Sequence, residues 1–193
     1  MNTNLIIVIT YSYLLGSIPF GLIITKFFLK EDVRKIGSGN IGATNVLRTG
    51  KKSLAILTLL LDIFKGYFCI YLTLVYFEEL TQLASLICFL AHIFPVWLKF
   101  KGGKGVATYL GIILAISFKL ALIFGISWLI ILYLTKYSSL SSILSSLNVF
   151  LFAFYSTLIQ PDFIYLTFFV IIVYTHRKNL IRLKNKTEDK IKL

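Results

Sequence analysis

Apolar residues run through this chain in blocks far longer than the strands or amphipathic helices of a soluble domain. They lie near 5–28, 53–76, 81–98, 106–135, 141–159 and 163–176. A helix rises about 1.5 Å per residue, so about 20 such residues cross the roughly 30 Å hydrocarbon core of a bilayer. Polar stretches separate the blocks: a glycine-rich run at 37–50, basic runs at 99–104 and from Arg177 onward, a serine run at 137–142, and Gln160-Pro161-Asp162. The pattern predicts an all-α integral membrane protein.

The 106–135 run, interrupted by Lys119, fits one long span or two short ones. Charge decides between them. With two spans, the regions 26–52, 99–104, 136–142 and 177–193 fall on one side and hold 7, 3, 1 and 7 Lys/Arg residues, 18 of the 20. The other side receives Lys119 beside Glu78, Glu79 and Asp162. With one span, the basic tail changes sides. Because cytoplasmic loops collect Lys and Arg, the expectation is seven transmembrane helices, with the N-terminus outside and the C-terminus cytoplasmic. The first block has no basic residue before it and no small-x-small site after it, so it reads as a retained span and not a cleaved signal. Residues 184–193 read as a solvated extension.

Composition agrees. Apolar residues make up 58% of the 193 and charged residues 15%, with a mean hydropathy of +0.85. Soluble domains average about 45–50% and about 25%. The net charge of +12 lies between apolar blocks, which argues against nucleic acid as a partner and for a membrane surface. Cys69 and Cys88 sit inside apolar runs and read as buried hydrophobes.

In the predicted topology the second, fourth and sixth helices begin at the cytoplasmic face. Each helix start offers unpaired backbone N–H groups and about half a positive charge. Two loops there suit a phosphate. The run 37–50 contains Gly37, Ser38, Gly39, Asn40, Gly42, Asn45 and Arg48, giving a backbone able to wrap a ligand and a guanidinium able to grip it. Gly102-Gly103-Lys104-Gly105 stands just before a helix start, where N–H groups converge on an oxyanion and Lys104 adds a point charge. His176 and Asn179 are three residues apart, so a helix continuing past the membrane puts both on one face. A plain flexible connector explains the first loop less well, and an interfacial basic cluster explains the last equally well.

Weaker signals are the serines at 138–142, the pair Asp62 and Lys65 within a span, the kink-prone Ser17-Ile18-Pro19-Phe20-Gly21, and His92, which reads as a packed histidine. Neither phosphate-like loop contains a carboxylate, and two His with two Cys make a protein metal site improbable. Such a cradle suits an electrophile that arrives already activated.

Taken in order, Ser17-x-Pro19-x-Gly21, the loop from Gly37 to Arg48, Asp62-x-x-Lys65-Gly66, the run from Phe100 to Thr108, and His176-Arg177-x-Asn179 with Arg182, Leu183 and Glu188 resemble the acyl-phosphate:glycerol-3-phosphate acyltransferases of bacterial membranes, the PlsY family. The family usually has Gly two residues before its Glu, where this chain has Lys186. The resemblance implies one polytopic acyltransferase domain over 1–193 in the bacterial inner membrane, with its active site facing the cytoplasm. It implies transfer of a fatty acyl group from acyl phosphate to the 1-hydroxyl of sn-glycerol 3-phosphate, giving lysophosphatidic acid and phosphate in phospholipid synthesis. It implies no cofactor and no metal, with membrane lipid and the upstream acyl-phosphate-forming enzyme as partners. Its catalytic residues map to Ser38, Arg48, Lys104, His176 and Asn179. Substrate-binding positions map to Gly37, Asn40, Asn45, Gly102, Gly103, Gly105, Ser139 and Ser142.

A transporter for a phosphorylated solute is the main rival, but its site would lie near the bilayer midplane, and no two halves of this sequence mirror each other.

Overall fold

A computed structural model describes residues 3–156 and 163–191. Among the described residues the regular structure is helical, with no strand. Two compact units divide the chain, Met1–Ile116 and Ser117–Leu193. The Gln160-Pro161-Asp162 break lies outside the described residues.

The first unit contains α1 (Thr3–Gly16), α2 (Phe20–Leu29), α3 (Ala43–Leu47), α4 (Lys52–Tyr76), α5 (Thr81–Ile93) and α6 (Val106–Ile116). Single 3-10 turns lie at Val33–Lys35, Glu78–Leu80 and Val96–Leu98. Pro19 separates α1 from α2, because its ring excludes the helical N–H bond and disfavours helical geometry just before it. The interruption frees two carbonyls inside an apolar span, and both are used. Trp97 Nε1 donates to Ser17 O at 2.8 Å, and Lys65 Nζ donates to Ile18 O at 2.7 Å. The kink-prone motif is therefore a docking point for two later segments.

Small residues set the helix crossings. A Cβ at Gly16 would overlap the Cys88 carbonyl, one at Gly66 the Thr108 carbonyl, and one at Gly111 the Ile63 carbonyl. Such contacts let apolar helices approach closely where the hydrophobic effect cannot drive them together. Cys69 and Cys88 are buried free thiols, as the apolar context suggests.

The second unit contains α7 (Phe118–Thr135), α8 (Ser138–Tyr155), α9 (Ile164–Thr175) and α10 (Arg177–Lys184). The 106–135 run divides at Ser117, whose backbone is extended (φ −157°, ψ 115°). Lys119 falls in the first turn of α7, where its ammonium stands 4.9 Å from the Phe152 ring centre.

Among the described residues, five segments are long and apolar enough to cross a membrane: Thr3–Leu29, Lys52–Tyr76, Glu78–Leu98, Phe118–Thr135 and Ser138–Tyr155. Val106–Ile116 and Ile164–Thr175 are apolar but shorter. Large apolar side chains stay exposed along them, including Phe27, Leu60, Phe64, Leu129 and Leu134. Exposure of that kind suits lipid contact. The chain is an integral membrane protein.

The C-terminal segment departs from expectation. Beyond α10 the chain turns back on its own unit instead of trailing into solvent. Thr187 N donates to Arg182 O at 2.8 Å, Ile191 N donates to Lys136 O at 2.9 Å, and Glu188 is clasped by three side chains. A buried carboxylate with three donors is a stronger tether than charge counting reveals.

Candidate functional site

The loop before α3 is organised from inside by Asn45. Its side chain is buried, and its Nδ2 group donates to Val33 O, Ile36 O and Asn40 O at 2.9, 2.9 and 2.8 Å. Its Oδ1 accepts from Ser38 N at 3.0 Å and Ser38 Oγ at 3.2 Å. One amide thus gathers four points of the loop. Gly37 and Gly39 take left-handed backbone angles, φ 51° and 72°, that an L side chain resists. A Cβ at Gly37 would stand 2.6 Å from Arg48 Cδ and 2.9 Å from its Nη1. Arg48 therefore lies across Gly37, beside Ser38. At the loop entrance Asp32 accepts from Arg34 N and pairs with the Arg34 guanidinium at 2.6 Å. The Arg34 hydrogen bonds hold its carboxyl down at about 2.

The second loop is tied just as firmly. Gly102 N donates to Ile93 O at 2.9 Å and Gly103 N to His92 O at 3.1 Å, which folds the turn back on the end of α5. Those two N–H groups are therefore engaged within the turn, and Lys104 follows them just before the start of α6. The glycines answer to packing: a Cβ at Gly102 would overlap the His92 carbonyl, one at Gly103 the His92 ring, and one at Gly105 (φ 84°) the Phe89 ring. Leu98 packs on the small core of Leu22, Val33, Ile41, Val46 and Ala55, which underlies the first loop. That core thus links the first loop to the 3-10 turn Val96–Leu98 that precedes the second.

In the second unit His176 stands at the junction of α9 and α10, buried, with Nδ1 2.8 Å from Ile172 O. A carbonyl only accepts, so Nδ1 carries the proton, and in the neutral ring Nε2 keeps its lone pair. Asn179 Nδ2 donates to Glu188 Oε1 at 2.6 Å, Ser139 Oγ to the same oxygen at 2.9 Å, and Arg182 Nε to Glu188 Oε2 at 2.6 Å. Burial raises the Glu188 carboxyl, but these three donors together hold it below its ordinary value. Ser142 Oγ donates to Ser138 O at 2.8 Å and accepts from Trp128 Nε1 at 3.2 Å. The hydroxyls of Ser139 and Ser142, expected to touch substrate, are thus engaged within their own unit. Asn45 is likewise spent on its loop.

A model of the family described as glycerol-3-phosphate acyltransferase matches residues 6–186. The chain belongs to the glycerol-3-phosphate acyltransferase family. A glycerol-3-phosphate acyltransferase of Pelagibacter ubique is 53% identical over 97% of this chain and 98% of the relative. One from Mesorhizobium japonicum is 47% identical over 99% and 98%. The crystal structure of PlsY, an integral membrane glycerol 3-phosphate acyltransferase, in its glycerol 3-phosphate form, superposes with a TM-score of 0.92 at 37% identity. That likeness covers 97% of this chain and 95% of PlsY. Its lysophosphatidic acid form superposes with a TM-score of 0.88.

Within the family pattern, Lys186 replaces the glycine expected two residues before Glu188. Its φ is 58°, so the turn a glycine would make is made anyway, and the clasp on Glu188 survives. The Asp62–Lys65 pair flagged in the sequence is an ion pair at 2.7 Å; what sequence reading missed is that His92 and Thr108 join it in one buried cluster across three helices.

Proposed function

We propose that this chain transfers a fatty acyl group from acyl phosphate to the 1-hydroxyl of sn-glycerol 3-phosphate, giving lysophosphatidic acid and inorganic phosphate. It acts as one polytopic domain over residues 1–193 in a bacterial inner membrane, with its site open to the cytoplasm. In this reading α6 and α9 complete seven crossings, the bilayer thinning locally around them. The observation that carries the proposal is the first loop, in which Asn45 holds Ser38 and the Arg48 side chain lies against Gly37. Family membership and the glycerol 3-phosphate form of PlsY support the same substrate.

The chemistry follows from what the side chains offer. Both reactants carry phosphate, so Arg48, Lys104 and the start of α6 reduce their mutual repulsion and hold them close, where effective molarity lowers the barrier. The Ser38 hydroxyl donates a hydrogen bond to Asn45 Oδ1 and so presents its oxygen lone pairs to the substrate hydroxyl. The hydroxyl oxygen attacks the acyl carbon, the bond from that carbon to the phosphate oxygen breaks, and the hydroxyl proton leaves with the departing phosphate. His176, with Nε2 as acceptor, assists that transfer, and the cations stabilise the charge on the leaving group. Asn179 orients substrate, while Asn45, Ser139 and Ser142 act by position. Gly37, Asn40, Gly102, Gly103 and Gly105 shape the walls. Membrane lipid surrounds the acyl chain, and the enzyme that forms the acyl phosphate is the expected supplier.

The test uses purified protein in lipid nanodiscs with palmitoyl phosphate and glycerol 3-phosphate. Phosphate release that requires both substrates, with formation of the acyl ester, is expected. Ester formed from palmitoyl-CoA but not from palmitoyl phosphate overturns the donor assignment.

A further inference from the structure

Lys65 lies deep in the first unit and its ammonium meets three acceptors: Asp62 Oδ1 at 2.7 Å, Ile18 O at 2.7 Å and His92 Nδ1 at 2.8 Å. The Thr108 hydroxyl is 3.2 Å from the same ring nitrogen. These groups come from the break between α1 and α2, from α4, from the end of α5 and from the start of α6. An ammonium only donates, so His92 Nδ1 accepts, and the ring is fixed in position by a buried charge.

The far side of that ring is the point of interest. His92 Nε2 abuts Gly103 so closely that a Cβ there would overlap it. The carbonyl of His92 also takes the N–H of Gly103. Ring and main chain of His92 therefore hold Gly103 from two directions, one residue before Lys104. Buried ion pairs add little stability compared with apolar groups of the same shape. A charged cluster here contributes location more than stability.

We propose that Lys65 is a positioning residue for substrate phosphate, acting through His92 to fix Gly103 and thereby the place of Lys104 and of the α6 N-terminus. The inference rests on reading the turn at 102–105 as a phosphate cradle. It adds that the cradle's shape is set by a polar strut reaching from the membrane interior.

Two sets of variants test it, in purified full-length protein, with binding read by the thermal shift that glycerol 3-phosphate or inorganic phosphate produces and turnover read separately. The first set is Gly103→Ala, His92→Ser and the double variant. Gly103→Ala alone is expected to weaken glycerol 3-phosphate binding and lower kcat/KM by roughly 100-fold, since a displacement of about 1 Å has that reach. His92→Ser removes the ring that the new methyl meets, so the double variant is expected to recover roughly 10-fold relative to Gly103→Ala. Equal damage by Gly103→Ala in both backgrounds overturns the proposal.

The second set removes both charges, Lys65→Met with Asp62→Leu. The folded variant is expected to show KM for glycerol 3-phosphate raised roughly 10-fold or more, a change that loss of folded protein alone does not produce. Wild-type KM and wild-type phosphate binding in that variant overturn it. If the charge-free variant does not fold, Lys65→Arg, which keeps the charge but changes the geometry of the donor to His92 Nδ1, takes its place with the same KM and binding readouts. A wild-type protein that binds phosphate but transfers no acyl group defeats the function proposed above, while the binding measurements still judge the strut.

Discussion

Glu188 Oε1 receives the Asn179 amide at 2.6 Å across nine residues of sequence, and this contact closes the C-terminal segment onto α10. Ser139 from the start of α8 donates to the same oxygen, and Arg182 covers the other. The carboxylate thus sets which way Asn179 turns its amide.

That clasp makes a pH prediction. Burial alone raises the Glu188 carboxyl, yet the donors from Asn179, Arg182 and Ser139 outweigh it, so folding lowers this group below its ordinary 4.5. A carboxyl lowered by folding stabilises the folded state above its unfolded value, and that contribution disappears as pH falls through the folded value. The segment at 187–191 is expected to stay docked at neutral pH and to release in acid, as pH falls below the ordinary carboxyl value and through the lowered folded one. Hydrogen exchange at the Thr187 and Ile191 amides, which bond Arg182 O and Lys136 O in the docked tail, measured against pH reports the release. Glu188→Gln should weaken docking at neutral pH by about 1–2 kcal/mol and remove the acid transition, with Arg182's partial exposure limiting the loss.

Lys186 carries a left-handed backbone, φ 58°, a conformation that favours glycine. A side chain in that region costs about 1 kcal/mol relative to glycine. Lys186→Gly is therefore expected to stabilise the docked tail by about that amount, read as slower exchange at 187–191, whereas Lys186→Ala should leave it unchanged. Equal behaviour of the two substitutions would remove backbone strain as the explanation.

These two residues show where sequence reading stopped. The helical membrane class, the division of the 106–135 run and the glycine loops were legible, because hydropathy blocks and loop composition are local signals. The tail was misread as solvated because its tether pairs Glu188 with Ser139, 49 residues away. His92 was read as merely packed because its partner Lys65 lies 27 residues earlier, and only the fold reveals that the pair meets the Gly103 turn. Gly102 and Gly103 were expected to offer N–H groups to a phosphate, but the end of α5 takes both. Non-local pairing has no periodicity for a sequence pattern to display.

Asn45 supplies the third prediction. Replacing it with Ala leaves the carbonyls of Val33, Ile36 and Asn40 without their shared donor and frees Ser38 from its acceptor. The Val33 and Ile36 carbonyls keep the N–H groups of Ile36 and Gly39, so the main loss falls on the Asn40 carbonyl, at about 1–3 kcal/mol, partly relieved by water at this loop. The variant should remain membrane-inserted with α4 to α6 intact, while kcat/KM falls at least about 100-fold through misplacement of Ser38 and Arg48. Steady-state kinetics beside a melting curve separates the two. Wild-type kcat/KM in Asn45→Ala would mean that Ser38 and Arg48 need no such support.

His176 gives the most direct test of proton handling. Its Nδ1–H bond to Ile172 O leaves Nε2 as the acceptor in the neutral ring, the form suited to receive or relay a proton. Glutamine in its place offers an amide of similar reach that accepts hydrogen bonds but does not hold a proton near neutrality. If the imidazole assists proton transfer, His176→Gln and His176→Ala should both lose kcat by roughly 100-fold with KM for palmitoyl phosphate little changed, because general-base assistance contributes about that factor. If His176 only orients a phosphate by donating a hydrogen bond, KM should rise instead and glutamine should rescue what alanine loses. Full activity in both variants would place the entire proton transfer on the substrate's own phosphate.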